Sequence, residues 1–214
     1  MEEKKIMEAS RNTMIALAYL FFVTLITGLL YPLAFTLVAN LVFSAQSNGS
    51  LIMVGDAVRG SMLIGQEFKS DNFFHGRPSC SSYDTMASGA SNLSVTSAAL
   101  KTEIDKRREG WFKTYGISNI PEEMLYASAS GLDPEIGVEA ALIQIERVSK
   151  ARGYDEYRKN QLKEYIRKET DRRGAVVLHM PRVNVVELNL MLEGRRPGEN
   201  KVTETATSRG GIAP

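Results

Sequence analysis

The sequence predicts a single-pass transmembrane helix followed by one α+β (mixed α/β) extracytoplasmic domain, on three observations. No charged side chain stands between Arg11 and Asp56, and inside that gap residues 14–43 read MIALAYLFFVTLITGLLYPLAFTLVANLVF. The basic residues near this run, Lys4, Lys5 and Arg11, precede it, and the first one after it is Arg59. Beyond the run, helical and strand patterns alternate with turn-rich stretches, as in a domain of mixed class.

The apolar run exceeds the roughly 20 residues that cross a hydrocarbon core at about 1.5 Å per residue. A cleaved signal peptide has a shorter apolar region and small residues before its cut, whereas Phe43-Ser44-Ala45 places a bulky side chain there. The Lys and Arg bias puts the N-terminus in the cytoplasm and the domain outside. The organisation is therefore a cytoplasmic segment at 1–13, a transmembrane helix at 14–43 with its core at about 14–36, a domain at 44–192 and a flexible tail at 193–214. Thr24, Thr27, Gly28 and Tyr31 fall at i, i+3, i+4 and i+7, lining one face with small or hydrogen-bonding groups on which a second helix can pack. Pro32 then kinks or ends the regular turn.

After the exit at Asn48-Gly49, strands are expected at 50–54 and 61–65 about a turn at Gly55-Asp56. Residues 68–92 form a long loop whose aromatics Phe68, Phe73, Phe74 and Tyr83 argue for order. Gly89 and Asn92 within it suit positive φ angles. Ser94 caps a helix to about Arg108 with Leu100 and Ile104 inward, residues 110–119 break it, and Pro121 opens a short helix ending near Ala127. Residues 128–134 are a turn cluster. Val138, Ala141, Leu142, Ile145 and Val148 hold helical spacing up to Arg152-Gly153, and a further amphipathic helix runs over 155–170. Residues 175–178 read as a strand, and 181–192 as buried with ambiguous period.

The 26 Lys and Arg against 25 Asp and Glu leave no concentrated basic face, so a nucleic-acid partner is not expected. One cysteine, Cys80, excludes an intrachain disulfide and the Cys-based zinc motifs. The two histidines, His75 and His179, read as ordinary structural or surface residues. There is no phosphate-binding G-x-x-x-x-G-K-[ST], no G-x-S-x-G, no H-E-x-x-H and no EF-hand loop. Ser130 would need a base to act as a nucleophile. A membrane-anchored extracytoplasmic hydrolase using it, or a binding module unrelated to transport, is the alternative reading.

Several blocks together resemble one family, the C subunit of the Kdp-type potassium-transporting ATPase (KdpC). They are Thr24-Leu-Ile-Thr-Gly-Leu-Leu-Tyr-Pro32, Gly60-Ser-Met-Leu-Ile-Gly-Gln-Glu-Phe68, Phe74-His-Gly-Arg-Pro-Ser79, Ala87-Ser-Gly-Ala-Ser-Asn92 and Ser128-Ala-Ser-Gly-Leu-Asp-Pro-Glu-Ile136. Gln144, Arg147-Val148, Ala151-Arg152-Gly153 and Pro181-Arg-Val-Asn-Val-Val-Glu-Leu-Asn-Leu190 complete the set, in order over residues 24–192. Tyr83-Asp84 stands where the family usually has Tyr-Asn.

The resemblance implies a non-catalytic accessory subunit of a P-type ATPase complex in the cell membrane. Its partners would be a channel-like potassium-binding subunit, a P-type ATPase subunit and membrane lipid. ATP is used and potassium carried by the complex, and no cofactor is expected on this chain, which lacks D-K-T-G-T. The family's C subunit is described as a catalytic chaperone that raises the ATP affinity of the ATPase subunit. Arg77, Asp133, Gln144, Arg147 and Asn184, polar residues in the family-like blocks, are the candidate subunit-interface positions, with an internal structural role as the rival reading.

Overall fold

The computed structural model describes residues 1–54, 57–173 and 181–194. The chain divides into two compact units, Met1–Ser50 and Leu51–Pro214.

The first unit is a helix from Glu2 to Val42, 41 residues long and apolar enough to cross a membrane. At 1.5 Å per residue it is about 60 Å long, twice the thickness of a hydrocarbon core, so its charged first turns project beyond that core. Residues 2–13 are therefore a continuation of the same helix. It has three parts: α1 (Glu2–Leu25), a π-helical segment (Ile26–Leu30) and α2 (Tyr31–Val42). The expected break at Pro32 takes the form of that wide turn, in which the Tyr31 N–H reaches back to the Ile26 carbonyl. Phe43 leaves helical geometry, and one further turn, α3 (Ser44–Ser47), ends the unit, with Ser47 Oγ donating to Asn40 Oδ1.

The second unit opens with an antiparallel hairpin of β1 (Leu51–Val54) and β2 (Ala57–Ser61). The second strand lies upstream of the predicted 61–65. The Ile64 N–H turns back to the Ser61 carbonyl and the Gly65 N–H bonds Leu132 O, so that stretch faces the 128–134 turn instead of a strand. No helix or strand follows until α4 (Ala98–Tyr115), which starts later and ends later than the expected 94–108. Gly110 sits inside it. A helical glycine costs about 1 kcal/mol against alanine, and the Trp111–Tyr115 ring pair beyond it, with centroids 5.3 Å apart, lies on a turn that packs against the core. Gly116, at φ 68°, ends the helix.

A 3₁₀ turn (Glu122–Met124) replaces the short helix expected after Pro121. Next comes β3 (Glu135–Gly137), a strand the sequence reading missed, paired antiparallel with β4 (Arg182–Asn184), Ile136 opposite Val183. The helix expected from 138 to 152 is two, α5 (Val138–Leu142) and α6 (Ile145–Arg152), because the Gln144 N–H takes the tighter bond to Ala141 O. The amphipathic helix is α7 (Glu156–Arg173), and the ambiguous 181–192 resolves into β4 and α8 (Val185–Leu192).

Phe74, Ile136, Ile145, Val148, Ile166 and Leu188 centre the core, each almost wholly shielded from solvent. Burying such a side chain contributes about 1.5–3 kcal/mol, so the α5–α8 helices and the β3–β4 pair form one cooperative body around Phe74. The strand expected at 175–178, His179 and the tail from 195 lie outside the described residues.

Candidate functional site

On the membrane helix, Thr24, Thr27, Gly28 and Tyr31 are all exposed. A Cβ at Gly28 would meet only Thr24 Cγ2, at 3.9 Å, so the glycine leaves a shallow notch beside Thr24. Thr27 Oγ1 donates to the Val23 carbonyl at 2.7 Å, and the Tyr31 ring packs on Phe35 at 4.8 Å. The π-helical segment adds a residue to the turn, which sets Tyr31 roughly 100° round from its place in an unbroken helix. Thr24 and Gly28 stay adjacent; Tyr31 leaves their line.

In the domain, the polar residues converge on one short segment, Asp71 to His75, which leaves a turn at Ser70–Phe73. Its five successive carbonyls each accept a side-chain donor. Arg147 Nη1 reaches Asp71 O at 2.8 Å, Arg152 Nε reaches Asn72 O at 2.6 Å and Arg147 Nη2 reaches Phe73 O at 2.9 Å. Asn189 Nδ2 reaches Phe74 O at 2.9 Å and Gln144 Nε2 reaches His75 O at 3.1 Å. The two amides also accept the Phe74 and His75 N–H groups, at 2.8 and 2.7 Å. A buried backbone group without a partner is costly, and here side chains supply what a neighbouring strand would.

Around Arg147 the electrostatics are tight. Its guanidinium lies 5.2 Å over the Tyr115 ring and 3.6 Å from Asp71 Oδ1, and Tyr115 donates its hydroxyl to the same carboxylate at 3.0 Å. Burial holds the Arg147 pKa below its ordinary value, partly opposed by Tyr115 and Asp71. Burial also lowers His75, as does the Arg147 charge. The neutral imidazole brings Nε2 within 3.3 Å of Ser70 O.

Arg77 and Asp133 pair at 3.0 Å with side chains 20% and 25% exposed, and Asp133 Oδ1 accepts the Glu135 N–H at the start of β3. Tyr83 donates its hydroxyl to Arg77 O at 2.6 Å, its pKa pushed up to about 12 by burial and then by Glu67 and Asp133, so it stays a donor. Asn184 caps α8 by accepting the Glu187 N–H and donates to Met62 O. Ser130 Oγ accepts the Leu132 N–H, a turn contact. Gly89, expected at positive φ, does not have it; Asn92, at 52°, does.

Every candidate interface position thus makes internal bonds. The structure brings Gln144 and Arg147 together, with 2.8 Å between Nη2 and Oε1, and leaves Arg77–Asp133 and Asn184 on separate elements. Sequence reasoning missed Asn189 and Arg152 as partners of the same segment. A signal existed for Asn189, an amide alone among apolar residues in Leu188-Asn-Leu-Met-Leu192.

An apolar helix of membrane length joined to an α+β domain of this kind defines a membrane-anchored single-span protein. Residues 13–194 match the family model described as KdpC: K+-transporting ATPase, c chain. A relative from Rhodopseudomonas palustris is 42% identical over 192 residues, covering 83% of this chain and 94% of that protein. Relatives from Pectobacterium atrosepticum and Escherichia coli O81 are each 43% identical, over 81% and 83% of this chain and 91% and 95% of their own. All three are named potassium-transporting ATPase KdpC subunit. The chain belongs to the KdpC family.

Proposed function

We propose that the chain is the non-catalytic accessory and assembly subunit of an ATP-driven potassium importer, holding a channel-like potassium-binding subunit and a P-type ATPase subunit together. Its N-terminus is cytoplasmic and its domain extracytoplasmic, over the channel entrance, with residues 193–214 as a flexible tail. The charge bias of Lys4, Lys5 and Arg11 against the distant Arg59 supports this orientation. A domain outside the cell does not touch cytosolic ATP. Its chaperone effect, a raised ATP affinity of the ATPase subunit, therefore travels through the membrane helices.

The observation that carries the assembly role is the notch at Gly28. With only Thr24 Cγ2 within 4 Å of a would-be Cβ, a partner helix can approach backbone to backbone there. Thr27 and Tyr31 extend the packing face around the helix, and among the domain positions the Arg77–Asp133 pair, mostly buried, keeps an edge at the surface. Gln144, Arg147 and Asn184 support the interface from beneath by fixing the loops. Replacing Gly28→Leu fills the notch, and co-purification with the other subunits from membranes is expected to fall sharply. Unchanged co-purification and transport would remove the packing role.

A further inference from the structure

A helix that crosses lipid must satisfy its own backbone, because hydrocarbon offers no hydrogen bonds. At one place this helix does not. An α-helical carbonyl accepts the N–H four residues further on. The Tyr31 N–H, which would serve Thr27 O, is drawn back to Ile26 O by the π-helical segment. Residue 32, which would serve Gly28 O, is proline and has no N–H. Two successive carbonyls, those of Thr27 and Gly28, have therefore lost their regular donors. By residue count they lie about 12 Å inside the C-terminal end of the apolar core at residue 36, out of reach of bulk water.

Such a loss is made good by a Ser or Thr of the same helix, a local change of pitch, an ordered water or a neighbouring helix. The helix's own hydroxyls are spent elsewhere. Thr27 donates to Val23 O at 2.7 Å and Thr36 to Pro32 O at 2.8 Å, each reaching four residues back. The positions from which a hydroxyl would reach Thr27 O and Gly28 O in that way hold Tyr31 and Pro32. The change of pitch is the π-helical segment itself, and it opens the first of the two gaps. An ordered water is held in a closed polar cavity, and no residue of this helix is buried within the chain. A neighbouring helix is what is left.

We propose that the Thr27 and Gly28 carbonyls accept a hydrogen bond from a hydroxyl or amide side chain on a transmembrane helix of the channel-like potassium-binding subunit. The inference rests on the reading of the chain as an assembled subunit, and adds a polar donor to the close approach at Gly28. A second copy of this chain does not supply that donor. A parallel two-fold pair sets like residues side by side at one depth. Its Thr27 proton is already given to Val23 O, and its Tyr31 lies off the Thr24–Gly28 line, packed on Phe35. Its Thr24 stands about 4.5 Å nearer the N-terminal end than Thr27, whereas helical carbonyls point to the C-terminal end. The ATPase subunit is set aside by chain length. Only residues 43–50 join the helix to the first strand of a domain whose proposed seat is the channel entrance, so the helix runs beside the channel-like subunit. A bare potassium ion is no substitute, since it is held by rings of such oxygens and this helix edge offers two.

The main test needs no substitution. Thr27-Gly28 is the only Thr-Gly pair in the chain, so threonine labelled with ¹³C at its carbonyl and glycine labelled with ¹⁵N isolate one peptide group by solid-state NMR of the full chain. In bilayers, the Thr27 carbonyl resonance is expected to lie downfield in the assembled complex relative to the chain alone, as a carbonyl gaining a hydrogen bond does. Coincident resonances from a chain that still co-purifies overturn the donor and leave the assembly reading standing. A diazirine amino acid in place of Leu30, close to Thr27 O, is expected to join the chain to the channel-like subunit. Crosslinking to the ATPase subunit, to a second copy, to lipid alone or to nothing overturns the proposal. A wild-type chain that does not co-purify with the other subunits overturns the underlying reading, and the acceptor site with it.

Discussion

Asn189 and Gln144 grip consecutive peptide groups: Asn189 takes both the N–H and the C=O of Phe74, and Gln144 takes both of His75. One amide comes from α8 and the other from the junction of α5 and α6, so the segment between them ties these helices together. The Phe74 ring is fully buried at that point, which makes the grip both a polar and a packing junction.

Replacing either amide with leucine leaves two buried peptide groups without partners, each worth about 1–3 kcal/mol. Gln144→Leu and Asn189→Leu are each expected to lower domain stability by about 2–4 kcal/mol. The double variant should lose less than the sum, since one released segment accounts for both. Urea unfolding followed through Trp111, the only tryptophan, measures all three. Strict additivity would show that the two amides act independently.

Gly131 and Gly153 both have positive φ, at 70° and 65°, but different surroundings. A Cβ at Gly131 would stand 2.6 Å from Ser81 Oγ and 3.1 Å from Gly89 O; at Gly153 nothing lies within 4 Å. Gly153→Ala should therefore cost only the left-handed backbone, about 1 kcal/mol. Gly131→Ala adds the displacement of the 79–91 loop and should cost about 2–3 kcal/mol. Equal losses in the same unfolding assay would show that the loop yields freely.

His75 gives the domain a pH dependence of defined sign. Its folded pKa is lowered by burial and then by Arg147, with the Ser70 carbonyl and Asp71 opposing. The hollows on either side of it also present Arg77, Arg107, Lys69, Glu67, Tyr83 and Tyr115. Above the ordinary value near 6.5 the imidazole is neutral in folded and unfolded chains alike, so its contribution is intact. Below that value the unfolded chain binds the proton first, and stability falls as pH drops through the folded pKa. His75→Gln is expected to flatten the decline of the urea midpoint between pH 7.5 and 5. A variant profile parallel to that of the wild type would assign the decline to carboxylates instead.

Local patterns made the helices legible. The spacing of Val138, Ala141, Ile145 and Val148 and the stop at Gly153 identify a helical stretch from the residues alone, since burial on one face imposes the 3.6-residue period. The three-residue strands β3 and β4 were not legible, because so short a run carries no period and exists through its partner across the fold. Trp111 and Tyr115 lay in an expected break for a related reason: Gly110 signals a stop locally, and packing against the core overrides it.

The sequence by itself determined the anchor, the bias of its flanks and the family, since hydrophobicity, charge and ordered motifs are properties of the chain read in one dimension. Tertiary structure alone decided that Arg147, Arg152, Gln144 and Asn189 share one target, and that Gly131 has no room for a methyl group. Those relationships join residues far apart in the chain. Their energies depend on which groups are left without water when the helices close around Phe74, and no local pattern records that.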